Sequence, residues 1–413
     1  MPCDLCSAEG DGPPVLARGP YLQNGTSDAI TLRWRTSEAT ASMVSYGPGP
    51  DELTSSLTVA GLRTEHEIRI GDLPADARVY YAFGAPGRRL HGGELYFFDT
   101  APPPQSTKPV RVWVIGDAGT GTQSQLDVLA AAQPSLQPPP QVWLMLGDNA
   151  YPSGSDDNYQ RTVFDVYGDL LRNVVVWPTF GNHDAITSDS AKVSGPYYDM
   201  FTLPAAGDAG GVASGTEAYY SFDYGPIHFV CLDSSESDTT TEGPMLGWLQ
   251  HDLGANTLPW LIAYWHHPPY SHGSHNSDFE QRLIDMRENA LPILEAYGVD
   301  LVLAGHTHAY ERSFYLHGFY GHSQSLAHDM VVNGGDGVPD GDGPYSRSVD
   351  GNGAVYVVAG AGGKAGGGLL DHPAMVVSMS KLGSLMVEIE GDTLDARYIG
   401  VEPDAVDHFR IEK

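Results

Sequence analysis

The chain has 413 residues, enough for two or three domains with sizeable cores, and no apolar run in it approaches membrane length. Lys and Arg number 22 against 52 Asp and Glu, a formal net charge of −30. Such a surface repels phosphate backbones and anionic lipid heads, which argues against nucleic acid and membranes as partners. An anionic substrate must be drawn by charge inside a site, and a metal is the obvious source.

Residues 1–12 read as a disordered or processed N-terminus. They hold Cys3 and Cys6, a C-x-x-C with no second pair to complete a zinc site. No basic-then-apolar leader opens the sequence, and the expectation is a secreted or periplasmic protein whose signal peptide is absent from this chain. Residues 13–102 read as a small all-β sandwich. Ile30-Thr31-Leu32-Arg33-Trp34-Arg35 alternates apolar and polar as a half-buried strand does, and similar stretches cover 42–46, 67–70, 79–83 and 95–98. Leu73-Pro74 followed by Tyr80-Tyr81 resembles the strand entry of fibronectin type III domains. Asn24-Gly25-Thr26 fits a glycosylation acceptor, although Asn-Gly is more often a tight turn. The Pro-rich stretch 103–109 reads as a stiff linker.

From 110 to 413 strands and helices alternate. Residues 110–115 form a strand ending in Gly116-Asp117-Ala118-Gly119, and a helix is expected over 123–132. Val142-Trp143-Leu144-Met145-Leu146 is apolar throughout, as a strand buried on both faces is, and ends in Gly147-Asp148-Asn149-Ala150-Tyr151. A helix follows over 159–171, then a strand over 174–180 ending in Gly181-Asn182-His183-Asp184. Asp117, Asp148 and Asn182 lie 31 and 34 residues apart, which suits consecutive βαβ units. Residues 185–218 read as an irregular loop near the same rim, and 219–223 with 227–232 as a hairpin whose Cys231 is an inert core residue. The strand 261–265 ends in His266-His267, and that over 299–304 in Gly305-His306-Thr307-His308. Helical spacing covers 278–297, with Pro292 a candidate kink. Residues 317–352 read as a surface insertion, and 355–359 with the strands of 375–399 as completing a second sheet.

Singly, each strand-ending Asp or His is more often a turn, a cap or a satisfied structural residue than a ligand. Together, five strand ends carry D-x-G, G-D-x-x-Y, G-N-H-D, H and G-H-x-H, in that order. That order points to a metal site at the carboxyl ends of the strands.

The order of motifs resembles the metallophosphoesterases and, within them, the purple acid phosphatases, over roughly residues 108–400. The resemblance implies an α/β (α+β) fold, a βαβ sandwich of two mixed sheets flanked by helices, behind the small β-sandwich domain. It implies that Asp117, Asp148, Tyr151 and His308 hold a ferric ion, with Asp148 bridging. Asn182, His266 and His306 then hold a divalent partner, Zn, Fe or Mn. Tyr310-Glu311-Arg312 fits the same pattern, whereas Ala263 stands where the V-x-x-H motif has Val.

The residue types fit that assignment. Two carboxylates and a phenolate are hard anionic donors suited to a trivalent ion, and a phenol with a pKa of about 10 is deprotonated in acid only by a strong Lewis acid. One shared carboxylate, an amide and two imidazoles suit a divalent metal. Relatives with two divalent metals typically carry D-x-H and no Tyr ligand; this chain has Gly119 at that His position and supplies Tyr151 instead. The implied activity is hydrolysis of phosphate monoesters at acid pH, with a hydroxide made available between the metals as nucleophile. Asn182, His183 and His275 would hold the phosphate, and His183 or His275 would act as general acid. His267 and His272 are less placeable. Two other readings compete: a phosphodiesterase using the same site, and an adhesion or binding protein with a vestigial hydrolase domain. The complete ligand set argues against the second.

Overall fold

The computed structural model describes residues 15–347 and 353–413, so the expected N-terminal segment 1–12, with Cys3 and Cys6, lies outside the described residues. The N-terminal module is built on two long strands, Ile30–Gly47 and Ser55–Ile70, paired antiparallel along most of their length. The register shifts between Arg35 and Ser42, and the two halves of Ile30–Gly47 serve different neighbours. The first half of Ile30–Gly47 pairs with Leu16–Gln23 and the second half with Arg78–Ala85. Sequence periodicity read 30–35 and 42–46 as separate strands; they are one strand bent at a bulge, which periodicity does not distinguish from a turn. Trp34, Ile68, Tyr81 and Phe83 fill the space between the halves. Residues 100–109 carry no helix or strand.

The remainder is two mixed sheets. In the first, Val110–Ile115, Val142–Met145 and Val175–Pro178 run parallel. Gly383–Glu390, Thr393–Gly400 and Val406–Glu412 extend this sheet from the edge of Val110–Ile115. Only Met375–Met379 of the C-terminal strands joins the second sheet, contrary to the sequence reading. Alternation tells which face of a strand is buried but not which strand it lies beside. The second sheet has Ile227–Cys231, Trp260–Trp265, Leu301–Ala304 and Val355–Ala359 in parallel, edged by Tyr220–Tyr224 on one side and by Tyr310–Ser313 and Met375–Met379 on the other.

The helices are the crossovers that parallel strands require. Gln123–Ala132 falls where expected. The next helical run begins at Asp156 rather than 159, because Ser155 and Asn158 form a capping box and Asp156 and Asp157 sit at the positive end of the dipole. Pro244–Ala255, which the sequence reading passed over, leads into Trp260–Trp265. Pro292 sits in the first turn of Leu291–Ala296, directly after a π turn over Met286–Ala290. The wider turn accommodates the residue that cannot donate.

The module and the region from residue 110 onward share one hydrophobic cluster, running from Tyr21 and Trp34 to Trp143 and Trp177. Leu22 pairs in parallel with Val175, and Gln23 donates to the Val176 carbonyl at 3.1 Å. Polar contacts line the same seam. The buried Arg18 donates to Gln160 at 2.8 Å and to Asp156 at 3.0 Å, and Arg35 forks onto Asp156 at 2.6 and 2.7 Å. Asn24 is 3% exposed and donates to Asp208 at 2.6 Å, so Asn24-Gly25 is a buried turn and not an accessible glycosylation acceptor.

Candidate metal centre

The two sheets meet at the carboxyl ends of their parallel strands. There the Gly116 N–H donates to Ala359 O at 3.0 Å and His266 Nδ1 lies 2.8 Å from Leu146 O. Glycines permit the approach: a Cβ on Gly181 would lie 2.0 Å from the Asp148 nitrogen, and one on Gly305 2.7 Å from Asp117 Oδ2. Asp117, Asp148 and His306 all have left-handed backbone, with φ of 54°, 49° and 63°. A non-glycine residue held there costs on the order of 1–3 kcal/mol and persists only when its surroundings impose it. Here the strained residues are three of those whose side chains the sequence singled out.

Those side chains converge in two groups that share Asp148. In the first, the Tyr151 phenol oxygen lies 3.1 Å from Asp117 Oδ1, 2.9 Å from Asp148 Oδ2 and 3.4 Å from His308 Nε2. In the second, His266 Nε2 lies 3.1 Å from Asn182 Oδ1, 3.2 Å from His306 Nδ1 and 3.4 Å from Asp148 Oδ1. Donors about 2.0–2.2 Å from one cation and at right angles to each other stand roughly 3 Å apart, so both groups have coordination-shell spacing. With its Nδ1 proton donated to Leu146 O, a neutral His266 points a lone pair at the lone pairs of Asn182 and His306. A cation placed among them removes that conflict, as does a second proton on His266, and the residues present fit a two-metal centre.

Electrostatics point the same way. Burial, with Asp148 beside it, pushes the Asp117 carboxyl well above its ordinary range. Burial acts against ionised Asp148 too, but the His266 imidazole and the His183 N–H at 2.7 Å hold it low. His266 is pushed up to about 9: burial opposes its charge, and the Asp148 and Asp117 carboxylates overcome it. Burial and the same two carboxylates raise Tyr151.

Gly119 explains why a phenol serves here. A Cβ on Gly119 would lie 1.8 Å from the Asn149 carbonyl oxygen, so a D-x-H imidazole does not fit this backbone. Tyr151, whose N–H donates to Gly119 O at 2.8 Å, brings its oxygen in from the opposite loop.

His183 and His275 lie beside the two groups, each about one-third exposed. The His183 ring packs on Tyr151, with centroids 4.4 Å apart, and its Nδ1 meets Pro152 O at 2.7 Å. His275 stacks on His306 at 3.7 Å. His267 is buried against Ser234 Oγ at 2.9 Å, and burial holds its pKa well below the usual value. His272 lies between Asp371 at 2.8 Å and Asp278 at 3.1 Å and pins its own loop. The 317–347 part of the insertion reaches that loop through Ser323, which donates to Asp278 at 2.6 and 2.7 Å.

Sequence reasoning missed three carboxylates. Asp184, buried, accepts from Tyr159 at 2.6 Å, Gly181 at 3.0 Å and Asn149 at 3.0 and 3.2 Å, tying two ligand loops to a helix. It was visible as the last residue of G-N-H-D. Glu311, from Tyr-Glu-Arg, accepts from the Ser271 hydroxyl under the His272–His275 loop. Glu280 contacts His275 at 2.9 Å and belongs to no motif.

The calcineurin-like phosphoesterase family matches residues 110–310, the span that contains Asp117, Asp148, Tyr151, Asn182, His183, His266, His275, His306 and His308. Arabidopsis thaliana purple acid phosphatase 23 is 29% identical over 306 residues, covering 66% of this chain and 62% of that protein. The chain is similar to purple acid phosphatases over about two thirds of its length. Purple acid phosphatase 1 of Ipomoea batatas is 30% identical over 261 residues, 60% of this chain and 51% of that protein. The chain spans about half to two thirds of the length of these curated relatives. A purple acid phosphatase from yellow lupin (Lupinus luteus) seeds shares its fold at a TM-score of 0.71 and 18% identity, covering 97% of this chain and 74% of the other. PhoD shares the fold at 0.65 and 14%, covering 98% and 92%.

Proposed function

We propose that this protein is a purple acid phosphatase that hydrolyses phosphate monoesters at a ferric–divalent centre. The observation that carries the reading is the Tyr151 phenol seated between two buried carboxylates, in a backbone that leaves no room for an imidazole at Gly119. Asp117, Asp148, Tyr151 and His308 would hold the ferric ion; Asp148, Asn182, His266 and His306 would hold Zn, Fe or Mn. The bound pair supplies positive charge against phosphoryl oxygens and acidifies water. The remaining work falls to the chain. Asn182, His183 and His275 hold phosphoryl oxygens, and His275, one of the two general-acid candidates with His183, protonates the leaving oxygen. The N-terminal module, which resembles fibronectin type III domains, serves as structural support. No helix among the described residues is long and apolar enough to cross a membrane. Export to an oxidising compartment, secreted or periplasmic, suits a ferric subsite.

Metal analysis with a visible spectrum tests the proposal. We expect about one iron per chain and a phenolate-to-iron absorption band that Tyr151→Phe removes while part of the metal stays. A colourless protein with two zinc ions and full activity would overturn the iron assignment. Faster turnover of bis(p-nitrophenyl) phosphate than of p-nitrophenyl phosphate would replace the monoesterase by a diesterase.

A further inference from the structure

Glu280 is held before it touches anything in the site. It lies just ahead of helix Gln281–Asp285, its N–H donates to Asn276 O at 3.1 Å, and its Oε1 accepts from the Asn276 N–H at 2.9 Å. The carboxylate so fixed meets two histidines. It accepts from His275 Nδ1, with Oε2 at 2.9 Å and Oε1 at 3.1 Å, and Oε2 stands 3.5 Å from His306 Nε2. The two imidazoles stack with centroids 3.7 Å apart and planes 31° from parallel. The carboxylate therefore closes over one edge of a stacked pair.

The proton positions follow. His306 presents Nδ1 towards His266 Nε2 at 3.2 Å, in the second donor group. An imidazole that offers a lone pair from Nδ1 must carry its proton on Nε2, and Glu280 is the carboxylate facing Nε2. His275 gives its Nδ1 proton to the same carboxylate, which leaves Nε2 as the nitrogen free to act. Glu280 faces the edge of His306 opposite His266, so it supports the second subsite from behind.

We propose that Glu280 is a positioning residue that sets both rings at once. It fixes the tautomer of His306 that can ligate through Nδ1, and it orients His275 so that Nε2 serves the leaving oxygen. The proposal rests on the functional reading above, and its two halves are read by separate measurements.

Glu280→Gln and Glu280→Ala are made in the full chain; Glu280 is 39% exposed on its side chain, so neither empties the core. Zinc titration of the metal-depleted protein reads the His306 half. Loss of such an outer carboxylate typically weakens a site about 10–100-fold, and Glu280→Ala should fall in that range. Glu280→Gln, whose amide oxygen still accepts a proton, should lose less. The kcat ratio between an alkyl phosphate and p-nitrophenyl phosphate reads the His275 half. The alkoxide needs a proton in the transition state and the nitrophenolate barely does. Glu280→Ala should therefore depress the alkyl ester at least about 10-fold more, within the range a general acid supplies. The ratio should change no further when Glu280→Ala is added to His275→Ala. Unchanged zinc affinity together with an unchanged ratio overturns the proposal, as does equal loss on both esters with zinc affinity intact. A wild-type protein that turns over neither ester overturns the functional reading instead, and the zinc titration still decides the His306 half.

Discussion

The seam between the module and the catalytic region and the rim of the strands both bury charge, and they treat it in opposite ways. At the seam opposite charges meet: Arg18 is fully buried, and Asp156 and Gln160 face it while Phe164 packs on its guanidinium at 4.5 Å. At the rim, groups of the same kind face each other. Two carboxylates share one phenol proton, and two imidazole nitrogens stand 3.2 Å apart. The backbone follows suit, with three rim residues in the left-handed region. A fold that pairs buried Arg with carboxylate in one place and crowds Asp and His in another has, in the second, the arrangement the proposed metal centre calls for.

The largest expected effect tests whether the seam is structural. A chain beginning at Lys108 loses the Leu16–Gln23 strand and the module's share of the common core, so it should be largely insoluble or melt without cooperativity. Any folded fraction should keep metal and some turnover of a small phosphate ester. A truncated chain that folds, binds both metals and is inactive would move the module from seam to site.

Next in size is a charge cluster of the satisfied kind, away from both regions. His228, 1% exposed, lies between Asp223 at 2.7 Å and Asp252 at 2.9 Å, and Asp252 also accepts from the Val212 N–H at 2.6 Å. Burial disfavours its charge, but the two carboxylates push its pKa up to about 9. The folded value exceeds the unfolded one of about 6.5, so this stability is complete below pH 6.5 and lost as pH rises through 9. The full shift corresponds to about 3 kcal/mol, and the partial exposure of Asp223 lowers that to about 2 kcal/mol. Denaturant melts from pH 6 to 10 should show the decline in wild type and not in His228→Gln. Parallel curves would mean the triad contributes nothing.

The smallest effect is also the sharpest contrast. In metal-free protein, Asp156→Asn removes a partner from buried Arg18 and should cost about 1 kcal/mol, since Asp156 itself is 41% exposed. Asp117→Asn, the same chemical change, removes one of two crowded buried carboxylates and should raise the melting temperature while abolishing metal uptake. If both variants lose stability, the rim is a structural cluster like the seam.

The rim was legible in the sequence because each group follows an apolar strand, and a strand's end has a known place in an α/β sheet. The seam was not. Arg18 and Asp156 are distant in sequence, and neither lies in a recognisable pattern. Glu280 was hidden for a related reason: its partners His275 and His306 come from different loops, and only the fold stacks them. The C-terminal strands were read as strands but assigned to the wrong sheet, because alternation carries no information about neighbours.

Gly119 has a consequence for how such a site can change over generations. Any side chain there meets the Asn149 carbonyl, which lies on the loop that also carries Asp148 and Tyr151. A lineage moving between a phenol-bearing site and an imidazole-bearing one cannot take the step at position 119 first, since the new residue displaces the loop that holds the old ligands. Nor could it discard Tyr151 first without emptying a coordination position of the proposed centre. The two positions are bound by epistasis, and either donor set, once established, is a local optimum that single substitutions do not leave.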